Sequence, residues 1–112
     1  MNPVIDSLGT KRWYNELGQL HRTDGPAVIW SDGTQFWCIN GKLHRTDGPA
    51  IIYSTSWMEW YINGKLHRTD GPAFIQPNGY PEYWIYGNQL TEEEFNDIIQ
   101  TEEHLNWYLL QL

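Results

Sequence analysis

The sequence His-Arg-Thr-Asp-Gly-Pro-Ala occurs three times in this chain of 112 residues, beginning at His21, His44 and His67. Successive copies begin 23 residues apart, and the segments between the copies are also alike. A period of this length is typical of small supersecondary units that cannot bury their apolar face alone and therefore stack on one another. The repeat restricts the chain to a fold that adds one similar unit after another.

Within one unit, the residues after the heptapeptide favour strands and tight turns. Ala50–Tyr53 is β-branched and aromatic, 54–56 is a turn rich in Ser and Thr, and Trp57–Ile62 is predicted to return as the second strand of a hairpin. Asn63-Gly64 then supplies two positions suited to positive φ. The sequence therefore predicts a mainly β fold, an antiparallel β-hairpin repeat that forms a single-sheet solenoid.

The repeat decays towards the C-terminus and gives way to a helical pattern. Tyr83–Leu90 aligns with Glu59–Leu66 after one inserted residue, and Thr91-x-x-Glu94 is a capping box. We expect one domain over 1–112, in which 12–90 hold three full units and one decayed unit. The tail, 91–112, is predicted to be an amphipathic α-helical cap, as one long helix or as two helices joined near Gln100.

The unit resembles a known repeat family. Aromatic residues followed by Asn-Gly-Lys, a nearby His, a Gly and a short strand, repeated every 23 residues, are similar to the MORN repeat over roughly residues 12–90. The heptapeptide replaces the His-Gly-x-Gly stretch of the usual MORN pattern, and in this form resembles repeats of small proteins common in phage genomes. The resemblance implies a rod or curved ribbon of hairpins that serves in protein contact, and it implies no activity.

Charge and composition exclude several classes of function. The formal net charge is −7, and all seven Lys and Arg lie in residues 1–68, whereas 69–112 hold eight acids and no base. This distribution makes nucleic-acid binding unfavourable, because such binding relies on bases that neutralise phosphates. No leader or apolar span is apparent, and the single cysteine, Cys38, has no partner for an internal disulfide. We expect no membrane association and a cytoplasmic location, in the host cytoplasm if a phage encodes the chain.

The heptapeptide admits a structural and a functional interpretation. In the first, Asp accepts hydrogen bonds from turn amides, Gly takes a conformation closed to other residues, Pro ends the strand, and Arg pairs with a neighbouring Asp. These turn residues are Asp24, Gly25, Pro26, Asp47, Gly48, Pro49, Asp70, Gly71 and Pro72. In the second, rows of His and Arg about 10 Å apart face an anionic ligand. The candidate rows are His21, Arg22, His44, Arg45, His67 and Arg68. Equivalent residues at that spacing are too far apart to share a metal, so we expect no metal site and no cofactor.

Aromatic residues form a second repeated set. Alignment on the turn glycine makes Tyr14, Trp37, Trp60 and Trp84 equivalent. They are expected either to hold the sheet together by cross-strand packing or to form an exposed platform, and Trp37, Trp60 and Trp84 are therefore candidate contacts for a partner.

These patterns predict a non-catalytic binding module, because the sequence contains no nucleophile–base pair and no phosphate-cradling loop. The expected partner is a protein, and in a phage the chain would be an accessory or anti-defence protein that blocks or sequesters a host protein. The alternative is a sponge for a small nucleotide-like anion, held by the Arg and His rows. A homodimer formed through the sheet face or the C-terminal helix also remains open.

Overall fold

The computed structural model of the protein describes residues 2–112 and is mainly β, with antiparallel strand pairing throughout this range. The strands are β1 (Val4–Ile5), β2 (Lys11–Arg12), β3 (Val28–Ile29), β4 (Gln35–Phe36), β5 (Cys38–Ile39), β6 (Lys42–Leu43), β7 (Ile51–Ile52), β8 (Met58–Glu59), β9 (Tyr61–Ile62), β10 (Lys65–Leu66), β11 (Phe74–Ile75), β12 (Tyr83–Ile85) and β13 (Asn88–Leu90). Two helices follow, α1 (Glu92–Ile99) and α2 (Glu102–Leu109). The predicted mainly β, antiparallel class with a helical C-terminus is confirmed.

The structure differs from the predicted single sheet, because the strands divide between one long sheet and three small ones. Seven strands form a sheet in the order β1-β2-β3-β4-β7-β8-β11, and the others pair as the hairpins β5-β6, β9-β10 and β12-β13. Along the chain, each hairpin follows one strand of the long sheet: β5-β6 follows β4, β9-β10 follows β8, and β12-β13 follows β11. The molecule is thin, with principal extents of 48 × 34 × 17 Å.

The segment Trp57–Ile62, predicted to be one returning strand, is divided at Trp60. Met58 and Glu59 pair within the long sheet, whereas Tyr61 and Ile62 belong to a hairpin. The Trp60 amide donates to the Ala73 carbonyl at 2.8 Å, and the Trp60 carbonyl accepts from the His67 amide at 3.0 Å. The prediction is wrong because the backbone of Trp60 is shared between two segments of the chain, and this cannot be read from local β propensity.

The hairpin turns use left-handed backbone. Asn63 and Gly64 have φ of 48° and 80°, as their sequence predicts. In the decayed unit the corresponding angles of 44° and 80° belong to Tyr86 and Gly87. These two residues lie 23 positions after the first pair, so the predicted one-residue insertion before them is wrong.

The tail forms two helices, which is one of the two predicted arrangements. Thr91 accepts from the Glu94 amide at 3.1 Å and Glu94 accepts from the Thr91 amide at 3.0 Å, so the capping box is complete. Phe95 is only 2% exposed and packs against Tyr83 with ring centres 4.8 Å apart. The first helix thus closes the end of the β structure, and α2 packs on α1. Within residues 2–112, no helix is long and apolar enough to span a membrane.

Candidate binding surfaces

The arginine of each heptapeptide lies over a tryptophan ring. The distances from Cζ to the ring centre are 3.9 Å for Arg22 on Trp13, 3.7 Å for Arg45 on Trp37 and 4.0 Å for Arg68 on Trp60. Each Nε donates to the Asp two residues later, at 2.7 to 3.0 Å, and each Nη1 donates to the Pro carbonyl four residues later, at 3.1 to 3.2 Å. A planar guanidinium is suited to stack and donate at the same time, which an ammonium group cannot do. Each arginine therefore stabilises the loop formed by its own heptapeptide.

The predicted pairing of Arg with a neighbouring Asp is confirmed in all three heptapeptides, whereas the predicted hydrogen bonds from the turn amides to this Asp are wrong. Its side chain accepts from the arginine and not from the turn amides, as Asp24 does from Arg22. The hydrogen bond to Arg22 and its charge hold the pKa of Asp24 below its usual range. Because the arginine of each heptapeptide is paired with an aspartate in this way, the row of three arginines carries little net positive charge.

The glycine of the heptapeptide also has a different role from the one predicted. None of Gly25, Gly48 and Gly71 has a φ in the left-handed region. Instead, a Cβ built at these positions would lie 2.8 to 2.9 Å from Cζ of the arginine in the same copy. Glycine lets the guanidinium lie between the backbone and the tryptophan ring, and a methyl group at this position would force the guanidinium to move.

The histidines connect each heptapeptide to the next hairpin. Nδ1 of His21, His44 and His67 accepts from the backbone amides of Asn40, Asn63 and Tyr86, respectively, at 2.9 to 3.0 Å. Each amide belongs to a turn residue with positive φ. An accepting Nδ1 is unprotonated, so in the neutral ring Nε2 carries the hydrogen. Burial lowers the pKa of His67, which also stacks on the Tyr86 ring at 3.8 Å.

The His and Arg side chains face grooves between successive copies. A groove of about 680 Å³ is lined by residues of the second and third copies, among them His44, Arg45, His67 and Arg68, with Trp60 and Tyr86 from the hairpins. A smaller groove of about 280 Å³ contains His21 and Arg22 together with Trp13. The structure therefore brings the candidate side chains of neighbouring copies to shared grooves, although most of their polar atoms already make bonds.

The predicted equivalence of Tyr14, Trp37, Trp60 and Trp84 is wrong for the first unit and for the last unit. The rings under the arginines belong to Trp13, Trp37 and Trp60, so Trp13, and not Tyr14, is the equivalent residue in the first unit. Trp84 takes a different position, where its carbonyl accepts from the Arg68 amide at 3.1 Å and its Nε1 donates to Glu82 at 2.9 Å. The longer turn of the first hairpin shifts Tyr14 into the place of Trp13 when the units are aligned on the turn glycine. Trp84 is misaligned because the predicted one-residue insertion before the last turn is absent.

A row of aromatic rings that the sequence did not indicate crosses one face of the long sheet. Its members, here called the aromatic row, are Trp30, Phe36, Tyr53, Trp57 and Phe74. Consecutive rings meet edge to face with centres 5.6 to 6.5 Å apart. Four rings are half-buried, and Trp57 is 39% exposed. Trp30 and Tyr53 each follow a strand at the same position of their units, which is the signal that could have revealed part of the row.

The ionisable groups outside the heptapeptides include a buried carboxylate and a buried thiol, Glu59 and Cys38. Within residues 2–112, no three His, Cys, Asp or Glu side chains come close enough to hold a metal ion. Glu59 is buried and accepts from the Tyr61 hydroxyl at 2.6 Å, while burial and this contact raise the pKa of Tyr61. Burial also raises the pKa of Cys38, so its thiol stays protonated.

Comparison with protein-family models, with curated proteins and with solved structures gave no match.

Proposed function

We propose that this chain is a non-catalytic, MORN-like binding module whose stacked hairpins form a scaffold for contact with a protein partner. The observation that carries the proposal is the aromatic row. Edge-to-face aromatic rings are rigid, contribute large contact areas and are enriched at the centres of protein interfaces. A row of five such rings left partly open on a sheet face is suited to hold a partner's apolar side chains.

The repeated polar residues support a scaffold in preference to an active site. Arg45, for example, uses Nε and Nη1 inside its own loop, and His44 uses Nδ1 to accept from the next turn. General acids, bases and nucleophiles need free atoms aimed at a substrate. Side chains that use most of their polar atoms in the same bonds in three like copies serve the fold. In a phage, such a module would serve to block or sequester a host protein in the host cytoplasm.

The test begins with tagged protein purified from host cells, with mass spectrometry to identify what co-purifies. The affinity of the purified partner is then measured for wild type, for Trp57→Ser and for the control Tyr80→Ser. Tyr80 is 92% exposed and lies outside the aromatic row. We expect Trp57→Ser to weaken binding about tenfold or more, as at an interface hot spot, and Tyr80→Ser to have little effect. Equal affinities for wild type and Trp57→Ser, with the fold intact by circular dichroism, would contradict the proposal.

A second candidate is the sponge for a small nucleotide-like anion, and the groove between the second and third copies favours it. Two guanidinium groups and two imidazoles line this groove, and Nη2 of Arg45 and Arg68 makes no hydrogen bond within the described residues. The paired carboxylates of Asp47 and Asp70 oppose binding of an anion. Calorimetric titration with ADP distinguishes the two functions: saturable binding that Arg68→Lys abolishes supports the sponge, and absence of heat removes it.

A further inference from the structure

The helical tail contains an apolar groove that is separate from the aromatic row and from the heptapeptides. The groove has a volume of about 350 Å³ and is lined by Asp97, Ile98, Gln100, His104 and Trp107. Ile98 and Trp107 provide its apolar wall, and Trp107 is 64% exposed. A tryptophan exposed to this extent is uncommon on a surface that serves only to cap a core.

The formal charges of the tail are all negative when His104, which lines the groove, is counted as neutral. Residues 91–112 contain six acids and neither Lys nor Arg. The ion pairs found among residues 2–112 lie elsewhere and involve the acids Asp6, Asp24, Asp47 and Asp70. The Asp97 carboxylate, at the rim of the groove, thus has no cationic partner in the described part of the chain. The electrostatic complement of this surface is a cation from another molecule.

The chain itself shows which cation fits a tryptophan beside an aspartate. In each of its three heptapeptides, an arginine lies 3.7 to 4.0 Å from a tryptophan ring centre while its Nε donates to an aspartate. The tail groove presents the same two groups, the indole of Trp107 and the carboxylate of Asp97, without an arginine. The aliphatic stem of an arginine would also cover Ile98.

We propose that the tail groove is a docking site for an arginine side chain of a partner protein, stacked on Trp107 and paired with Asp97. The partner presents this arginine on an exposed, basic segment, since the tail contains five further acids and neither Lys nor Arg. Lysine is a weaker occupant because its ammonium cannot stack flat on the indole while it donates to the carboxylate. This inference goes beyond the proposed function, because it concerns the helices and not the aromatic row.

The test uses NMR of the full chain with N-acetyl-arginine methylamide as the probe and N-acetyl-citrulline methylamide as its neutral isostere. The indole N–H signal of Trp107 is assigned from its loss in Trp107→Phe. We expect the arginine probe to shift this signal about threefold more than the citrulline probe at equal concentration. Equal shifts with the two probes would overturn the proposal, because the site would then not recognise the charge.

Two variants test the assigned carboxylate. Asp97→Asn should remove most of the difference between the two probes, whereas the control Glu93→Gln, an acid of α1 outside the groove, should leave the difference nearly unchanged. An unaltered response in Asp97→Asn would refute the pairing with Asp97. An equal loss in the control would show that the tail attracts cations without a defined site, and would also overturn the proposal. Neither result depends on whether the aromatic row binds a partner.

Discussion

Replacement of Gly48 by alanine tests the role that the structure assigns to the heptapeptide glycine. The new Cβ would lie 2.9 Å from Arg45 Cζ, so the guanidinium must move away from its position. Arg45 would then lose a charge-assisted hydrogen bond to Pro49, worth about 1.5–3 kcal/mol, and a stack on Trp37, worth about 0.5–1 kcal/mol at an exposed site. Because these groups are partly exposed to water, the lower values apply and the loss is about 2 kcal/mol.

Gly48→Ala also has a smaller, stabilising effect on the free energy of unfolding. Alanine restricts the unfolded chain more than glycine does, which stabilises the protein by about 0.4–1 kcal/mol where the native φ suits alanine. The φ of Gly48 lies outside the left-handed region, so this gain is available. The net cost of Gly48→Ala is therefore about 1–1.5 kcal/mol, which corresponds to a fall in Tm of about 4–6 °C for a domain of this size.

Urea denaturation of four proteins forms the assay: wild type, Gly48→Ala, Arg45→Ala and the double variant. Without the Arg45 guanidinium, the alanine at position 48 meets no clash, so in the Arg45→Ala background Gly48→Ala should be neutral or slightly stabilising. We predict a coupling free energy of about 2 kcal/mol between positions 45 and 48. If Gly48→Ala costs the same free energy in both backgrounds, the glycine is needed for its backbone conformation and the assigned role is refuted.

Three further predictions concern the histidine contacts and the tail. Burial lowers the pKa of His67 below its unfolded value of about 6.5, so its contribution to stability is complete above about pH 6.5 and is lost as the pH falls through the folded pKa. Urea midpoints between about pH 7.5 and pH 5 should fall less in His67→Gln than in wild type; equal slopes would contradict this assignment. Phe95→Ala removes the most buried tail side chain and should cost about 3–5 kcal/mol by thermal unfolding, whereas a cost below about 1 kcal/mol would mean that α1 does not close the β structure. Thr91→Ala removes the side-chain oxygen that accepts from the Glu94 amide and should cost about 1 kcal/mol, and an unchanged midpoint would show that the cap is dispensable.

Features that depend on a few neighbouring residues could be predicted from the sequence. The turn at Asn63-Gly64 follows from residues that tolerate positive φ, and the starts of both helices follow from threonine caps. The antiparallel class follows from short β-rich segments separated by turns. Each of these elements is decided mainly by local backbone chemistry.

Features that depend on contacts between distant residues could not be predicted from the sequence. The division at Trp60 arises because its amide bonds to Ala73 and its carbonyl to the amide of His67. The role of Gly48 depends on where the Arg45 side chain lies, which the sequence of the turn does not determine. The rings of the aromatic row come from different strands and turns, so only the completed sheet brings them together.

We propose that the repeated arginines hold the loops of the scaffold and leave binding to other surfaces. The most direct test is the free energy of unfolding of the triple variant Arg22→Lys, Arg45→Lys, Arg68→Lys, which keeps the three charges but removes the planar groups that stack and donate. We predict a loss of about 3 kcal/mol or more, roughly 1 kcal/mol for each stacked arginine. An unchanged free energy of unfolding would contradict the claim and return the arginines to the role of ligand contacts.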